Sequence, residues 1–320
     1  MTDSTLQLQH AILRTIAYFD VFEYPLKVSE VWRWLYRGVG ETWTASTDEV
    51  ARVIDGLVTD QRLERHDEFL CLPGRSQFIA QRQVRAKLNE KKWKRAKTVA
   101  RFVEVFPFVK TAAVVNTLAI DNARAESDID LLILCAPRRI WLSRFMVTGI
   151  VQLLGFRRHG EHVANRVCLS FYLTTSALDL APLKSAPEDH HFAFWATQAV
   201  PLMDDGAWKK FIEANRDWTS RLPNAWDANW VGRTLKPNRA LRNIKHFYEN
   251  VFGMSRAELF EASARDRQMA KMEKNTTSKL AQGTTEVVVN EEVLKFHEDD
   301  RRSRYNALYL ERCRRLGITP

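Results

Sequence analysis

The stretch VVNTLAIDNARAESDIDLLIL, residues 114–134, decides the fold expected for this chain. Its apolar ends predict two short strands, and the polar segment between them predicts a turn and the start of a brief helix. Asp128 and Asp130 stand near the beginning of the second strand. Because residues two apart on a strand share a face, the two carboxylates should project to the same side.

Two carboxylates placed so close together repel each other unless a cation lies between them. Oxygen ligands on a rigid sheet edge suit Mg²⁺, which keeps some of its waters and accepts phosphate oxygens from a substrate. Upstream, the turn at Asn116 offers backbone amides and the hydroxyl of Thr117 as a phosphate cradle. Together these features indicate phosphoryl or nucleotidyl transfer.

The same residues resemble the signature of the DNA polymerase beta-like nucleotidyltransferase superfamily. In that signature a Gly-Ser pair at a turn and a short helix precede Ser-Asp-x-Asp, which is followed by apolar residues. Here the pair is Asn116-Thr117, and the second part is SDID at residues 127–130, followed by LLI. More widely, segments such as CLSFYLT and LKFHEDDRR occur in an order that resembles a group of uncharacterised bacterial nucleotidyltransferase-like proteins. No substrate is known for that group.

The resemblance implies a role for each residue of the signature. Asp128 and Asp130 would hold two Mg²⁺ ions, while Asn116, Thr117 and Ser127 would bind an NTP. An acceptor hydroxyl would attack the α-phosphate, and pyrophosphate would leave.

Two departures from the superfamily pattern leave the activity open. Asn116-Thr117 keeps the hydroxyl of the usual Gly-Ser pair but loses the conformational freedom of glycine. Members of the superfamily normally supply a third carboxylate from a later strand, whereas the inward positions of RVCLSFYLT are expected to be Cys168, Ser170 and Tyr172. The alternative to an active enzyme is therefore a regulator that binds a nucleotide or nucleic acid at a catalytically weakened site.

Residues 1–74 are predicted to form a winged-helix-like domain of three helices followed by a hairpin. Ser46 and Glu49 have the spacing of a capping box at the start of the third helix. That helix carries four acidic residues against the single Arg52, so DNA phosphates would repel it. A role in packing, or in docking a protein partner, is the preferred interpretation of this domain.

A basic linker helix is predicted over residues 75–108. Ten Lys or Arg residues stand against two Glu between positions 75 and 105. This run is either a solvated basic face between domains or a track for a phosphate backbone. RNA is therefore the first acceptor considered, with a protein hydroxyl or a small molecule as alternatives.

The rest of the chain divides into residues 109–186, a minimal nucleotidyltransferase core with a mixed sheet, and residues 187–320, a helical C-terminal region. Within the latter, two helices are predicted over residues 189–224 and two more near 240–252 and 255–273, before a polar link at 274–286. A polar cluster at residues 295–301 either closes over the nucleotide or caps the last helix. The expected fold class is α/β (α+β).

Composition agrees with a polyanionic partner, because the formal net charge is +9 and the pI is near 9.4. The four cysteines form no CxxC pair, which favours a reducing, cytoplasmic location. The longest apolar stretch is too short to span a bilayer, so no membrane partner is expected.

Overall fold

The fold described by the computed structural model is mixed α/β, with helices packed around two sheets. The structure describes residues 3–227, 233–274, 285–297 and 300–320. Within them, three strands form a small sheet near the start of the chain, and six strands form a larger mixed sheet. The α/β (α+β) class expected from the sequence is confirmed at this level.

The first part of the chain contains three helices and a small antiparallel sheet. Its elements are α1 (Asp3–Val21), β1 (Leu26–Lys27), α2 (Val28–Arg33), α3 (Thr47–Thr59), β2 (Glu64–His66) and β3 (Phe69–Cys71). The strand β3 pairs with both β1 and β2. The capping box at α3 is confirmed, because Ser46 Oγ accepts a hydrogen bond from the Glu49 amide at 3.2 Å and Glu49 accepts one from the Ser46 amide at 2.8 Å.

The basic helix α4 (Gln77–Val103) directs several of its cationic side chains inward. Arg82 pairs with Glu30 at 2.6 Å, and Arg85 pairs with Glu23 at 2.9 Å. Lys92 is 1% exposed, and its Nζ donates a hydrogen bond to the Ser127 carbonyl at 2.6 Å. These charges hold the N-terminal part against the larger sheet.

The larger sheet takes its central strands from the predicted core. The strands and helices between residues 109 and 215 are β4 (Val109–Val114), α5 (Asn116–Ala119), β5 (Ile129–Cys135), α6 (Ile140–Leu153), β6 (Val167–Thr174), α7 (His190–Gln198), β7 (Val200–Asp204) and α8 (Trp208–Asn215). The remaining elements are α9 (Arg239–Glu273), β8 (Val287–Val289), β9 (Val293–Phe296) and α10 (Arg302–Arg315). The strand order is β7-β4-β5-β6-β9-β8, with β5 and β6 parallel and the other pairs antiparallel.

Three strands of this sheet come from residues 187–320, where only helices were predicted. The strand β7 pairs with β4 on one side, and β9 with β8 extends the sheet beyond β6 on the other. Without them, β4 and β6 would each present an unpaired edge. The two helices predicted over 240–252 and 255–273 form the single helix α9, and the polar link predicted at 274–286 lies mostly outside the described residues.

The C-terminal helix α10 returns to the start of the chain. Tyr309 and Cys313 of α10 and Phe194 of α7 belong to the same buried cluster as the apolar side chains of α1. The rings of Tyr18 and Phe194 stack with centroids 3.7 Å apart and planes inclined by 9°. The N-terminal part and the C-terminal region therefore share one core. Across the described residues, no helix has both the length and the apolar composition needed to cross a membrane.

Candidate functional site

A cavity of about 760 Å³ lies over the beginnings of β5 and β6. It is lined by residues of the sheet, of α1, α5, α6 and α7, and by His297 and residues within 300–305 around the start of α10. This volume is within the range of pockets that hold small molecules or cofactors.

The two aspartates of the SDID segment lie together in this cavity. Asp128 and Asp130 both line it, and a carboxylate oxygen of each lies within 4.8 Å of the other and of the Cys168 thiol. Asp130 is directly opposite Cys168 on the neighbouring parallel strand. The alternation of a strand therefore brings the two carboxylates to one side, as the spacing of the sequence implies.

The two carboxylates have different environments. Burial and the nearby charge of Asp128 raise the pKa of Asp130 to about 7, while hydrogen bonds from Asn116 and Cys168 oppose that shift. Asp128 forms an ion pair with Arg158, whose Nη1 lies 2.7 Å from its Oδ2. Burial raises the pKa of Cys168 to about 12. One carboxylate is thus balanced by a guanidinium, and the other is left beside a like charge.

Asn116 adopts the left-handed backbone conformation that glycine favours, with φ of 60°. Asparagine tolerates this region better than most residues, which accounts for its presence at the turn. Its side-chain Oδ1 accepts a hydrogen bond from Trp195 Nε1 at 2.6 Å, and its interaction with the Asp130 carboxylate opposes the rise in the pKa of that carboxyl. Thr117, the next residue, lines the cavity as well.

Ser127 lies outside the cavity lining, unlike the other four candidate residues. Its hydroxyl accepts a hydrogen bond from the Arg124 amide at 3.1 Å. Its carbonyl accepts hydrogen bonds from Lys92 Nζ at 2.6 Å and from the Asn165 amide at 3.0 Å. Ser127 therefore shapes the turn that leads into Asp128.

The side chains of β6 that were expected to face the site were Cys168, Ser170 and Tyr172, and the expectation is wrong for Tyr172. Cys168 and Ser170 line the cavity, but Tyr172 is fully buried in the core on the opposite face, and Phe171 lines the cavity instead. The pairing of β5 with β6 shifts register between Asp130 and Leu132. Such a bulge reverses the alternation of every residue that follows it.

The C-terminal polar cluster forms one wall of the cavity, which the sequence left undecided. Lys295 Nζ donates hydrogen bonds to the Thr285 carbonyl at 2.6 Å and to Asp300 at 3.0 Å, and burial lowers the pKa of Lys295 to about 8. His297 Nε2 lies 3.1 Å from Ser170 Oγ on β6. Asp300 also accepts a hydrogen bond from the amide of Arg302, the first residue of α10, at 3.0 Å.

The cavity wall carries more positive than negative charge. Six cationic side chains line it against three aspartates: Arg144, Arg157, Arg158, Lys295, Arg301 and Arg302 against Asp128, Asp130 and Asp300. Such an excess in a concave site attracts polyanions, including nucleoside triphosphates. Arg144 and the FRRHG turn are the sequence signals nearest to the SDID segment that could have indicated this wall, because Lys295, Arg301 and Arg302 lie far away in sequence.

An aromatic cluster forms the side of the cavity nearest the N-terminal part. The ring centroids of Phe22 and Tyr305 are 4.9 Å apart, and His191 lies 4.9 Å from the same Tyr305 ring. Tyr18 completes this side, and its hydroxyl lies 2.9 Å from His191 Nδ1. Flat rings beside a basic wall are suited to a ligand that combines a ring with phosphates.

A second group of potential metal ligands lies on the small sheet. Glu64, His66 and Cys71 place one donor atom each within 4.8 Å of the others. Glu64 already accepts a hydrogen bond from the Gly74 amide at 2.9 Å. This group is remote from the cavity in the chain and adds no residue to its lining.

No protein-family model matches the sequence, and neither a curated protein nor a solved structure matches the chain. The cavity is therefore interpreted from its own geometry and chemistry.

Proposed function

We propose that this chain is a Mg²⁺-dependent nucleotidyltransferase that moves an NMP from an NTP to an acceptor hydroxyl. Residues 109–186 would supply its nucleotidyltransferase core, and residues 1–74 a winged-helix-like domain. One observation carries the proposal: Asp128 and Asp130 meet beneath a predominantly basic wall, in a cavity large enough for a nucleotide.

The residues present fit a divalent cation. Asp128 and Asp130 offer oxygen ligands on one side of the sheet, and the pKa of Asp130 is raised partly by the charge of its neighbour. A cation held between them would offset that repulsion. Bound there, Mg²⁺ would neutralise charge on the phosphates and lower the pKa of the acceptor hydroxyl.

The remaining chemistry would depend on groups of the chain. The Thr117 hydroxyl can donate a hydrogen bond to a phosphate oxygen, and Arg157 with Arg158 can balance triphosphate charge from the wall. Asn116 would orient the Asp130 carboxylate through the interaction of its side chain with that carboxylate. During transfer, a bond would form between the acceptor oxygen and the α-phosphorus, the bond to pyrophosphate would break, and the hydroxyl proton would pass to solvent.

RNA is the first acceptor to test, because the outward face of α4 keeps a short basic row. Lys87, Lys91 and Lys94 are exposed at spacings of four and three residues, which places them on one side of the helix. The inward cations of α4 are already paired within the chain, so this row is what remains for phosphate contacts. A protein hydroxyl or a small molecule is the alternative acceptor.

The test is transfer of label from each α-labelled NTP, with Mg²⁺, to total RNA, to protein and to small metabolites. Transfer by the unmodified chain that disappears in both Asp128→Asn and Asp130→Asn would support the proposal. Glu126→Gln is the matched control, because Glu126 is an exposed carboxylate beside the two aspartates in sequence and lies outside the cavity lining. Folded protein that binds NTP yet transfers no label would contradict it.

A second candidate is a regulator that binds nucleotide without turnover. It is favoured by the ion pair between Arg158 and Asp128 and by the thiol of Cys168 where the superfamily normally has a carboxylate. Nucleotide binding that survives Asp130→Asn, together with no label transfer from any NTP, would favour this candidate over the enzyme.

A further inference from the structure

We propose that Cys168 is the third ligand of the metal site, and that the site therefore takes a divalent transition-metal ion in preference to Mg²⁺. The inference rests on the proposed metal site at Asp128 and Asp130. It concerns which ion that site selects.

The geometry brings three donor atoms together from two neighbouring strands. One carboxylate oxygen of Asp128, one of Asp130 and Cys168 Sγ all lie within 4.8 Å of one another. Cys168 is paired directly with Asp130, and both residues precede the bulge, so the sheet fixes their separation. Bonds of about 2.1 Å to oxygen and 2.3 Å to sulfur need donors no more than about 4.4 Å apart. Small side-chain rotations are enough to close that difference.

The donor set distinguishes between metals. Mg²⁺ demands oxygen ligands in near-octahedral geometry and has little affinity for sulfur. Zn²⁺, Co²⁺ and Mn²⁺ accept mixed carboxylate and thiolate ligands. Among these three ions, thiolate binds Zn²⁺ and Co²⁺ more strongly than it binds the harder Mn²⁺. A site with two carboxylates and one thiol should therefore bind Zn²⁺ and Co²⁺ more tightly than Mg²⁺.

The present contacts of Cys168 identify what must change when an ion binds. The thiol lies within 4.8 Å of a carboxylate oxygen of Asp130, and Arg158 pairs with Asp128 at 2.7 Å. Binding would replace the thiol proton with a sulfur–metal bond and release that proton to solvent. It would also displace the Arg158 guanidinium, whose side chain is 47% exposed and has room to move.

The experiment uses the full chain with Cys71→Ser, stripped of metal by a chelator and then titrated with Co²⁺. Cys71→Ser removes the sulfur of the second ligand group, so a thiolate-to-cobalt charge-transfer band must come from another cysteine. We expect this near-ultraviolet band to appear at one equivalent of Co²⁺. Competition against the band should rank Zn²⁺ far above Mg²⁺.

Adding Cys168→Ser or Cys168→Asp to that background should abolish the band. Groups that only hydrogen-bond to a metal ligand are commonly worth about 10- to 100-fold in metal affinity, so loss of the thiol, a direct ligand, should weaken Co²⁺ binding at least about tenfold. Cys168→Asp should also move the preference towards Mg²⁺. Circular dichroism must show that both variants are folded, and the band in the parent protein is informative by itself.

Absence of the band in the folded Cys71→Ser protein would overturn the proposal, as would a band that persists in both Cys168 variants. These outcomes are independent of the label-transfer assay. A Co²⁺ band without transfer from any NTP would leave the metal inference standing while the proposed function fails. Transfer with Mg²⁺ and no band would do the reverse.

Discussion

The Trp195 indole donates a hydrogen bond of 2.6 Å to the side chain of Asn116, whose interaction with the Asp130 carboxylate opposes the rise in the pKa of that carboxyl. A helix on one side of the cavity is thereby linked to a candidate metal ligand on the sheet. Asn116 has to hold this position with a φ of 60°, so its side-chain contacts and its backbone conformation impose separate requirements.

Two substitutions at Asn116 should separate those requirements. Asn116→Ala loses the side-chain bonds and also places a Cβ without asparagine's local compensation in the left-handed region, which costs about 1 to 2 kcal/mol. Asn116→Gly loses the same bonds but accepts the backbone conformation without strain. We therefore expect the free energy of unfolding in urea to be higher for Asn116→Gly than for Asn116→Ala.

Both Asn116 variants should weaken nucleotide-dependent activity, because neither can orient Asp130. Thr117→Val should be measured beside the two Asn116 variants, because it removes the adjacent hydroxyl and leaves the Asn116 side chain in place. An Asn116→Ala protein as stable as Asn116→Gly would show that the left-handed backbone imposes no measurable strain.

Arg158 should compete with a divalent cation for Asp128. Its guanidinium lies 2.7 Å from the carboxylate, so an incoming ion must displace it. We expect Arg158→Gln to bind Mn²⁺ more tightly than the unmodified chain in the absence of nucleotide, as measured by isothermal titration calorimetry. Arg157→Gln is the matched control, because Arg157 lines the same cavity from the preceding position.

Addition of an NTP should reverse the order of metal affinity between Arg158→Gln and the unmodified chain. Once an ion occupies the carboxylates, the freed guanidinium is available to the triphosphate, so Arg158→Gln should bind the metal–nucleotide complex more weakly. Tighter binding of Mn²⁺ by Arg157→Gln, with no change in Arg158→Gln, would refute the competition.

Local signals made parts of this fold predictable. The capping box of Ser46 and Glu49 involves residues three apart, and the shared direction of Asp128 and Asp130 follows from strand alternation. The strand β7 was missed because a short apolar run such as VPLM, residues 200–203, cannot be distinguished from a helix by periodicity. Only its pairing with β4, distant in sequence, makes it a strand.

The candidate site was likewise predictable from the sequence only where its residues are close together along the chain. Asn116, Thr117, Asp128 and Asp130 lie within one short segment, so a single stretch of sequence indicates that they lie close together. The contribution of Lys295 depends on β9 pairing with β6 across more than a hundred residues of chain. The exchange of Tyr172 for Phe171 depends on a bulge that leaves no mark in the apolar pattern of β6.

Removal of an inward cation from α4 should destabilise the fold more than removal of an outward one. Arg82 Nη2 lies 2.6 Å from Glu30, and the same guanidinium lies over the Tyr24 ring at 4.1 Å. Breaking a buried pair by deleting one partner costs about 3 to 5 kcal/mol, and the remaining exposure of Glu30 places Arg82→Ala at the lower end. Lys87→Ala, on the exposed side of the helix, should stay within about 0.5 kcal/mol.

Urea denaturation of the two α4 variants checks this difference. Arg82→Met, which retains the stem of the side chain, tells whether packing or charge supplies most of the loss. Equal stability of Arg82→Ala and Lys87→Ala would contradict a structural role for the inward charges. In that case all the Lys and Arg side chains of α4 would again be candidates for RNA contact.

The protein should lose stability between pH 6.5 and pH 5 because of two histidines at the start of α7. Burial lowers the pKa of both His190 and His191 to about 4, and each Nδ1 lies within 2.9 Å of a tyrosine hydroxyl, that of Tyr36 or Tyr18. In the unfolded chain their pKa returns to about 6.5, so the unfolded state binds more protons throughout this window. Its free energy therefore falls relative to that of the folded state as the pH decreases.

For His190, which is 4% exposed, the loss on going from pH 7 to pH 5 should be about 2 kcal/mol. Asp189 and Asp300 act in a separate window, because their pKa values are lowered below the usual value of 3.8 and their contribution is lost only at lower pH. Asp130, whose pKa is raised to about 7, instead stabilises the folded state as it takes up a proton between pH 7 and pH 5, and it offsets part of the histidine loss. Urea denaturation at pH 7 and pH 5 measures the difference. His190→Gln should reduce it, whereas His162→Gln, at an exposed position, should leave it unchanged. An unfolding free energy that falls as much in His190→Gln as in the unmodified chain would rule out a neutral, buried His190.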